Sequence, residues 1–283
     1  MQIYISGKYF DKEDAKISVF DHGFLYGDGV FEGMRSYNGK VFRLRDHMIR
    51  LWNSAKALMI EIPLTLEAME SAVNETLKVN GIKDGYIRLL VTRGIGTLGL
   101  DAHLCKEPQV IIIADHLALY PQEYYEKGLE IVTASTVRTN PSMVSPQIKS
   151  MNYLNNILAK IEGHQAGCIE VLMLNTKGEV AECSGDNIFI FSKGKLHTPS
   201  PEAGILEGIT RKAVLEIAAD MGIPIREMPM TRYDIFAADE CFLTGSAAEL
   251  IPVVKLDGRP IGSGKPGAMT KKLLTRFQEE TKK

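Results

Sequence analysis

Tryptophan occurs once in the 283 residues, cysteine four times, and neither sign of charge is in surplus, the formal net charge being −2. The cysteines (Cys105, Cys168, Cys183 and Cys241) are scattered, with no C-x-x-C pair and no adjacent histidine cluster. Their spacing argues against structural zinc, any other metal centre and a disulfide framework, and points to a reduced, cytoplasmic protein. The missing basic surplus argues against nucleic acid or anionic membrane as a partner. Apolar runs such as "VIIIA" fall far short of a membrane span. The opening "MQIYISGKYFDKED" lacks a basic stretch followed by an apolar one, so it is not expected to act as a secretory signal. There is no internal repeat and no low-complexity tract.

What remains is an ordinary globular composition, 45% hydrophobic and 24% charged, long enough for one large domain or two moderate ones. The first third mixes short strands with helices. "QIYISG" and "KYF" read as a hairpin, and Asn38-Gly39 is a type I′ turn signal between two β-prone runs. Helical spacing of Leu44, Met48, Leu51, Ala55 and Leu58 predicts a helix over 44–59, and a second is expected over 66–79, stopped by Asn80-Gly81. "GYIRLLVTRG" and "QVIIIADH" read as buried strands. At "LALYPQEYYEKG" the pattern breaks. The expected division is therefore a smaller domain over 1–118, a connector over 119–127 and a larger domain over 128–283 carrying Lys149. The fold class is α+β.

Several residues invite a chemical reading. Lys149, in "IKSMNYLNN", sits between apolar neighbours. An exposed lysine is protonated in all but about one molecule in 10³ at neutral pH, so a reactive amine there must be desolvated or lie near positive charge. Tyr153 would share its face if the turn between them were helical. "LEGITRKAVLEIA" offers Gly208 and Thr210 at a helix start, Thr210 as the expected cap, where unpaired amides bind anions. "TGSAAE", Thr244 to Glu249, is a second turn rich in amides. Glu182 ends a strand and could face a heteroaromatic nitrogen, or simply solvent. Arg50 could fork onto phosphate, or pair with Asp46. "GIGTLG", Gly94 to Gly99, matches a dinucleotide fingerprint, but "LDAHLCKEP" after it has no helical pattern, which excludes a nicotinamide site of that kind.

Taken in order, "YGDGVFEGMR", "HMIRL", "GYIR", "KSMNYL", "AECSGDNIF", "GITR" and "TGSAAE" resemble the fold-type IV pyridoxal-phosphate enzymes, and most closely their branched-chain amino acid aminotransferase subgroup, over essentially the whole chain. The resemblance implies a two-domain D-amino acid aminotransferase-like architecture and pyridoxal 5′-phosphate as cofactor. It implies that Lys149 forms the Schiff base and shuttles the substrate proton, that Glu182 faces the pyridine nitrogen, and that Tyr153 bonds to the ring oxygen. Arg50, the Ile209 and Thr210 amides beside Gly208, and Ser246 would hold the phosphate. Ser246 and Ala247 amides with the Tyr86 hydroxyl would take the α-carboxylate, Arg88 a second carboxylate, and Tyr26 and Phe31 the side chain, with Tyr26 reaching across a dimer interface. Substrates would be L-branched-chain amino acids and 2-oxo acids, 2-oxoglutarate among them, in a homodimer or larger homo-oligomer. Cys183 stands where the family more often has glycine, and is expected to narrow the site or make it oxidisable. D-amino acid aminotransferases, R-selective amine transaminases and aminodeoxychorismate lyases share the scaffold; the loop "GIGTLGLDAH" lacks the Pro-Arg-x-His pattern of the first. A binding module that kept only the fold is the reading from outside enzymology, and the intact lysine, glutamate, tyrosine and phosphate-holding set argues against it.

Overall fold

A computed structural model of the chain describes residues 1–116 and 120–282. The chain divides into two compact units, and the expected boundary at 118/119 lies outside the described residues.

Unit 1 carries strands β1 (Gln2–Ile5), β2 (Lys8–Asp11), β3 (Gly29–Tyr37), β4 (Lys40–Val41), β5 (Gly85–Thr92) and β6 (Gln109–Asp115), with helices α1 (His22–Tyr26), α2 (Leu44–Ala57) and α3 (Leu66–Val79). The strands form one antiparallel sheet in the order β2-β1-β6-β5-β3-β4. Asn38 and Gly39 both take positive φ, 51° and 82°, as the primed turn between β3 and β4 requires. Strand alternation turns Val30 and Met34 of β3, with Ile87, Leu89 and Val91 of β5, onto one face. Met48, Leu51 and Ala55 of α2 and Met69, Val73 and Leu77 of α3 close the core against them. The helix expected over 44–59 stops at Ala57, because Met59 turns left-handed at φ 53°. The second helix has the expected bounds, capped by Thr65 accepting from the Ala68 amide.

Residues Ile148–Asn152 group with unit 1, so Lys149 is not part of the later unit as the sequence suggested. The reason is backbone pairing. The Phe31 amide donates to the Lys149 carbonyl (3.0 Å), the Met151 amide donates to the Gly29 carbonyl (2.9 Å), and the Lys149 amide donates to Ser54 Oγ (3.1 Å). Ser150 and Val30 form an antiparallel bridge. The segment is thus extended, and no helical turn joins Lys149 to Tyr153; Tyr153 is instead the cap position of the helix that begins at Leu154.

Unit 2 contains α4 (Gln122–Lys127), β7 (Leu129–Thr133), α5 (Leu154–Gln165), β8 (Val171–Leu174), β9 (Val180–Cys183), β10 (Asn187–Ser192), β11 (Lys195–Thr198), α6 (Ile209–Asp220), β12 (Ile225–Glu227), α7 (Arg232–Phe236), β13 (Glu240–Gly245), β14 (Glu249–Leu256), β15 (Arg259–Pro260) and α8 (Ala268–Glu280). Its sheet is mixed, in the order β12-β11-β10-β13-β14-β7-β8-β9 with β15 beside β14. The β11–β12, β14–β7 and β7–β8 pairs are parallel. Leu129, Ile131, Leu172, Ile188, Leu243 and Ile251 lie in its main core. Helix α6 starts one residue before Thr210, so Thr210 is not the cap. Gly208 holds that position at φ −67°, ψ 137°, and a Cβ on it would lie 2.1 Å from Asn187 Oδ1. The cap therefore carries no side chain, and Thr210 is buried within the first turn.

Gly29 meets Met151 so closely that a Cβ would lie 2.5 Å from its sulfur and 2.8 Å from the Val91 carbonyl oxygen. Gly29→Val is expected to detach the 148–152 segment, costing about 1–3 kcal/mol and speeding tryptic cleavage after Lys149. Trp52, the sole tryptophan, packs on the unit 1 core, so its fluorescence in urea reads the loss.

Candidate active site

In unit 1 the site begins with a carboxylate out of place. Alternation along β3 puts Glu32 on the core face between Val30 and Met34, with its side chain 0% exposed. A buried charge must be paired and hydrogen-bonded where it lies. Helix α2 supplies the partners one turn apart: His47 Nδ1 donates to Glu32 Oε2 (2.7 Å), Arg50 Nε donates to Oε1 (2.8 Å) and Arg50 Nη2 donates to Oε2 (2.7 Å). Burial alone would raise the Glu32 pKa, but the charges and hydrogen bonds of Arg50 and His47 outweigh it and hold the carboxyl far below its usual range. Burial lowers the pKa of His47, Glu32 pulls it back up, and the charges of Arg50 and Lys149 press it down. His47 is therefore neutral at pH 7. With a carboxylate at Nδ1, that nitrogen carries the proton.

The opposite face of the same strands carries three of the predicted substrate residues, Phe31, Tyr86 and Arg88. Gly33 lies across from Arg88, and Arg35 across from Tyr86. Arg88 Nη2 donates to the Tyr86 hydroxyl (3.1 Å), and a Cβ on Gly33 would lie 2.0 Å from that hydroxyl. Only glycine leaves it room. The Arg88 guanidinium carbon stands 4.6 Å from the centre of the Phe31 ring, and Lys149 Nζ stands 4.7 Å from it, both cations over the aromatic face. Lys149 is half-buried. Tyr26 packs edge-on against His22 and donates its hydroxyl to the Leu98 carbonyl. The stretch Gly94–Gly99 is a loop, and only a short 3₁₀ turn, Ala102–Leu104, follows it.

In unit 2, Glu182 is buried and saturated with donors rather than solvated. Arg138 Nε donates to its Oε1 (2.9 Å) with Nη2 also 2.7 Å away. Asn187 Nδ2 (2.9 Å) and the Leu206 amide (3.0 Å) donate to its Oε2. Arg138 is held in turn by Asn156 Oδ1 (3.2 Å), whose amide nitrogen donates to the Ser184 carbonyl (2.8 Å). Asn187 also donates to the Leu206 carbonyl (2.8 Å), and Gly208 abuts it. One asparagine thus sets the spacing between Glu182 and the start of α6. No side chain caps α6, while Ile209 and Thr210 are 6% and 2% exposed. Buried first-turn amides without a cap, beside a fixed carboxylate, fit a cofactor that carries both a phosphate and a basic ring nitrogen.

The turn holding Ser246 and Ala247 joins β13 to β14. Asp186 lies beneath it: a Cβ on Gly245 would lie 2.0 Å from Asp186 Oδ1. Burial, then the charge of Glu170, push the Asp186 carboxyl up to about 7, and the Tyr120 hydroxyl donates to it (3.3 Å). Cys183 does not narrow the site as expected. It pairs with Leu172 while Glu182 pairs with Met173, so the two point to opposite faces, and Cys183 lies in the main core. Burial pushes its thiol pKa well up, which makes it inert rather than oxidisable. Among the described residues no group of three or more His, Cys, Asp and Glu side chains could hold a metal ion, and no helix is long and apolar enough to cross a membrane.

The sequence reading missed Glu32, His47, Arg138 and Asn187. A glutamate in phase with Val30 and Met34 was a usable signal for Glu32; Arg138 had none, since only the fold brings it to Glu182.

The profile of the family described as amino-transferase class IV matches residues 29–256, and the chain belongs to that family. Within it, the chain groups with the branched-chain amino acid aminotransferases. A protein from Methanocaldococcus jannaschii, provisionally named a branched-chain-amino-acid aminotransferase, is 50% identical over 99% of this chain and 96% of its own length. The crystal structure of the Escherichia coli branched-chain amino acid aminotransferase matches at a TM-score of 0.95 and 33% identity, covering 98% of this chain and 93% of that one. A T.th. branched-chain amino acid aminotransferase, solved in complex with N-(5′-phosphopyridoxyl)-L-glutamate, matches at a TM-score of 0.93 and 37% identity over 99% and 93% of the two chains. The expected fold-type IV architecture is therefore the one found.

Two outcomes follow from the unit 2 network. Arg138→Met strands the buried Glu182 charge and is expected to cost about 3–5 kcal/mol; adding Glu182→Gln should recover part of it, as read by circular dichroism in urea. Folded Asp186 keeps its proton up to about pH 7, whereas the unfolded carboxyl releases it near about pH 4. Its stability contribution therefore falls as pH rises across that window. The Tm of the wild type minus that of Asp186→Asn should decline between those two pH values and flatten above them.

Proposed function

We propose that the chain transfers amino groups between L-leucine, L-isoleucine or L-valine and 2-oxoglutarate, with pyridoxal 5′-phosphate as cofactor, in the cytoplasm and as a homodimer. The observation that carries this reading is the Phe31 wall. One aromatic ring faces the Lys149 amine and the Arg88 guanidinium, so an apolar surface, an amine and a guanidinium stand together. A pocket that alternately takes a branched aliphatic chain and a side-chain carboxylate needs that combination. The glutamate adduct bound by the T.th. relative supports glutamate as one of the substrates.

The cofactor, when bound, supplies an electron sink for negative charge at the substrate's α-carbon. The chain does the rest. Lys149 Nζ would hold the cofactor; once the substrate's amino group displaces it, the freed amine would take the proton from the α-carbon and hand it to the cofactor. Glu182, kept ionised and oriented by Arg138 and Asn187, offers a fixed negative charge to the ring nitrogen, and Tyr153 bonds the ring oxygen. Arg50, the Ile209 and Thr210 amides, with Gly208 giving backbone access, and Ser246 hold the phosphate. The Ser246 and Ala247 amides and the Tyr86 hydroxyl take the α-carboxylate, and Arg88 the second carboxylate. Phe31 and Tyr26 line the side-chain pocket, Tyr26 serving the partner subunit. The homodimer is supported by exposed apolar surface. Leu154, Ile157, Leu158 and Ile161 recur at helical spacing along α5 at 66%, 53%, 48% and 47% exposure, and Phe24 is 66% exposed.

The purified protein with pyridoxal phosphate should show a visible absorption band that L-leucine alone, without an acceptor, converts to the shorter-wavelength pyridoxamine form. A band that responds only to D-alanine would overturn the substrate class, and no band at all would overturn the cofactor. Because an apolar pocket resolves a methylene only weakly, kcat/KM for the three substrates should agree within roughly 200-fold. Light scattering should give at least twice the mass of the 31.3 kDa chain.

A further inference from the structure

We infer that Glu32 is a positioning residue for the cofactor's phosphate: with His47, it sets the orientation in which Arg50 presents its guanidinium. The inference rests on the reading of Arg50 as a phosphate-holding residue, and extends it to two side chains that touch no ligand.

The geometry is specific. A guanidinium on a flexible stem can rotate about its last bonds, and its usefulness to a phosphate depends on which edge it shows. In unit 1 the Nε–Nη2 edge of Arg50 is taken by both oxygens of Glu32, at 2.8 and 2.7 Å. Fixing one edge of a planar group fixes the other, so the direction of the Nη1 edge follows from where Glu32 stands. Glu32 itself cannot turn. It is rooted in the centre of β3, opposite Leu89 of β5, fully buried, and His47 Nδ1 holds its second oxygen at 2.7 Å.

Charge points the same way. Arg50 and Lys149 both lie close enough to depress the pKa of His47, so Glu32 offsets positive charge gathered at this corner. A neutral His47 donates to Glu32 without cancelling its charge, which leaves the carboxylate's full charge for Arg50. A plain core role would require only that the carboxylate be neutralised. The two-point hold on one edge of Arg50 does more, because it selects an orientation.

The test compares two ligands of the apoenzyme, pyridoxal 5′-phosphate and pyridoxal, which lacks the phosphate, by fluorescence titration. Glu32→Gln puts an amide NH₂ against one Arg50 donor and breaks the fork. It is expected to weaken pyridoxal phosphate by about tenfold or more, the scale of one charge-assisted hydrogen bond, and to leave pyridoxal within about threefold of wild type. Glu32→Asp keeps the charge that α2 needs but withdraws the carboxylate by one methylene. It should show the same phosphate-selective loss if Glu32→Gln does not fold. Equal losses for both ligands, or none for either, would overturn the inference, since a purely structural role does not distinguish them. Arg50→Met separates the two readings: if it keeps the wild-type preference for pyridoxal phosphate over pyridoxal, the assignment of Arg50 fails and Glu32 falls with it. If Arg50→Met loses that preference while both Glu32 variants keep it, only the role of Glu32 is lost.

Discussion

A carboxylate buried in the middle of a strand's core face constrains everything that packs over it. Glu32 stands between Val30 and Met34, where the alternation of β3 leaves no route to water, so the helix lying above must bring a compensating charge to within hydrogen-bond distance. That requirement sets the register of α2 on the sheet more tightly than apolar packing could, since Leu51 and Met48 tolerate sliding and a forked ion pair does not. The same strand, read on its other face, presents Phe31 to Lys149 and Arg88. One nine-residue segment thus ties the core to the chemistry through side chains one position apart.

Unit 2 solves a related problem differently. Glu182 is also buried and also meets an arginine, but two further donors, Asn187 and the Leu206 amide, share it. Glu32 is clamped by one helix, whereas Glu182 is enclosed by loop and strand residues from separate places along the chain. Backbone space is distributed to match: glycines stand where a side chain would collide with a working group, Gly33 under the Tyr86 hydroxyl and Gly208 against Asn187.

Much of this was legible beforehand. The α2 and α3 periodicities, the Asn38-Gly39 turn and the strand runs are local signals, and each produced the expected element. The failures share one cause, which is that the deciding partner lies far away in sequence. Lys149 and Tyr153 would have shared a face had the turn between them been helical, but pairing with Gly29 and Phe31 draws the segment straight. Thr210 has the chemistry of a cap, yet Asn187 leaves room only for Gly208 at that position. Cys183 neighbours Glu182 in sequence and faces away from it in space. Arg138 carried no local mark at all, and the Glu32–His47–Arg50 cluster needed the strand and the helix to be considered together.

The pairing of Ile148–Asn152 with β3 has a consequence for how the chain is made. During synthesis the first sheet emerges well before the strip that completes it, and the edge of β3 later covered by Lys149 and Met151 is open in the meantime. The lysine is delivered last, after the intervening stretch has left the ribosome, so a chain ending short of residue 148 carries every strand of the first sheet but not this lysine.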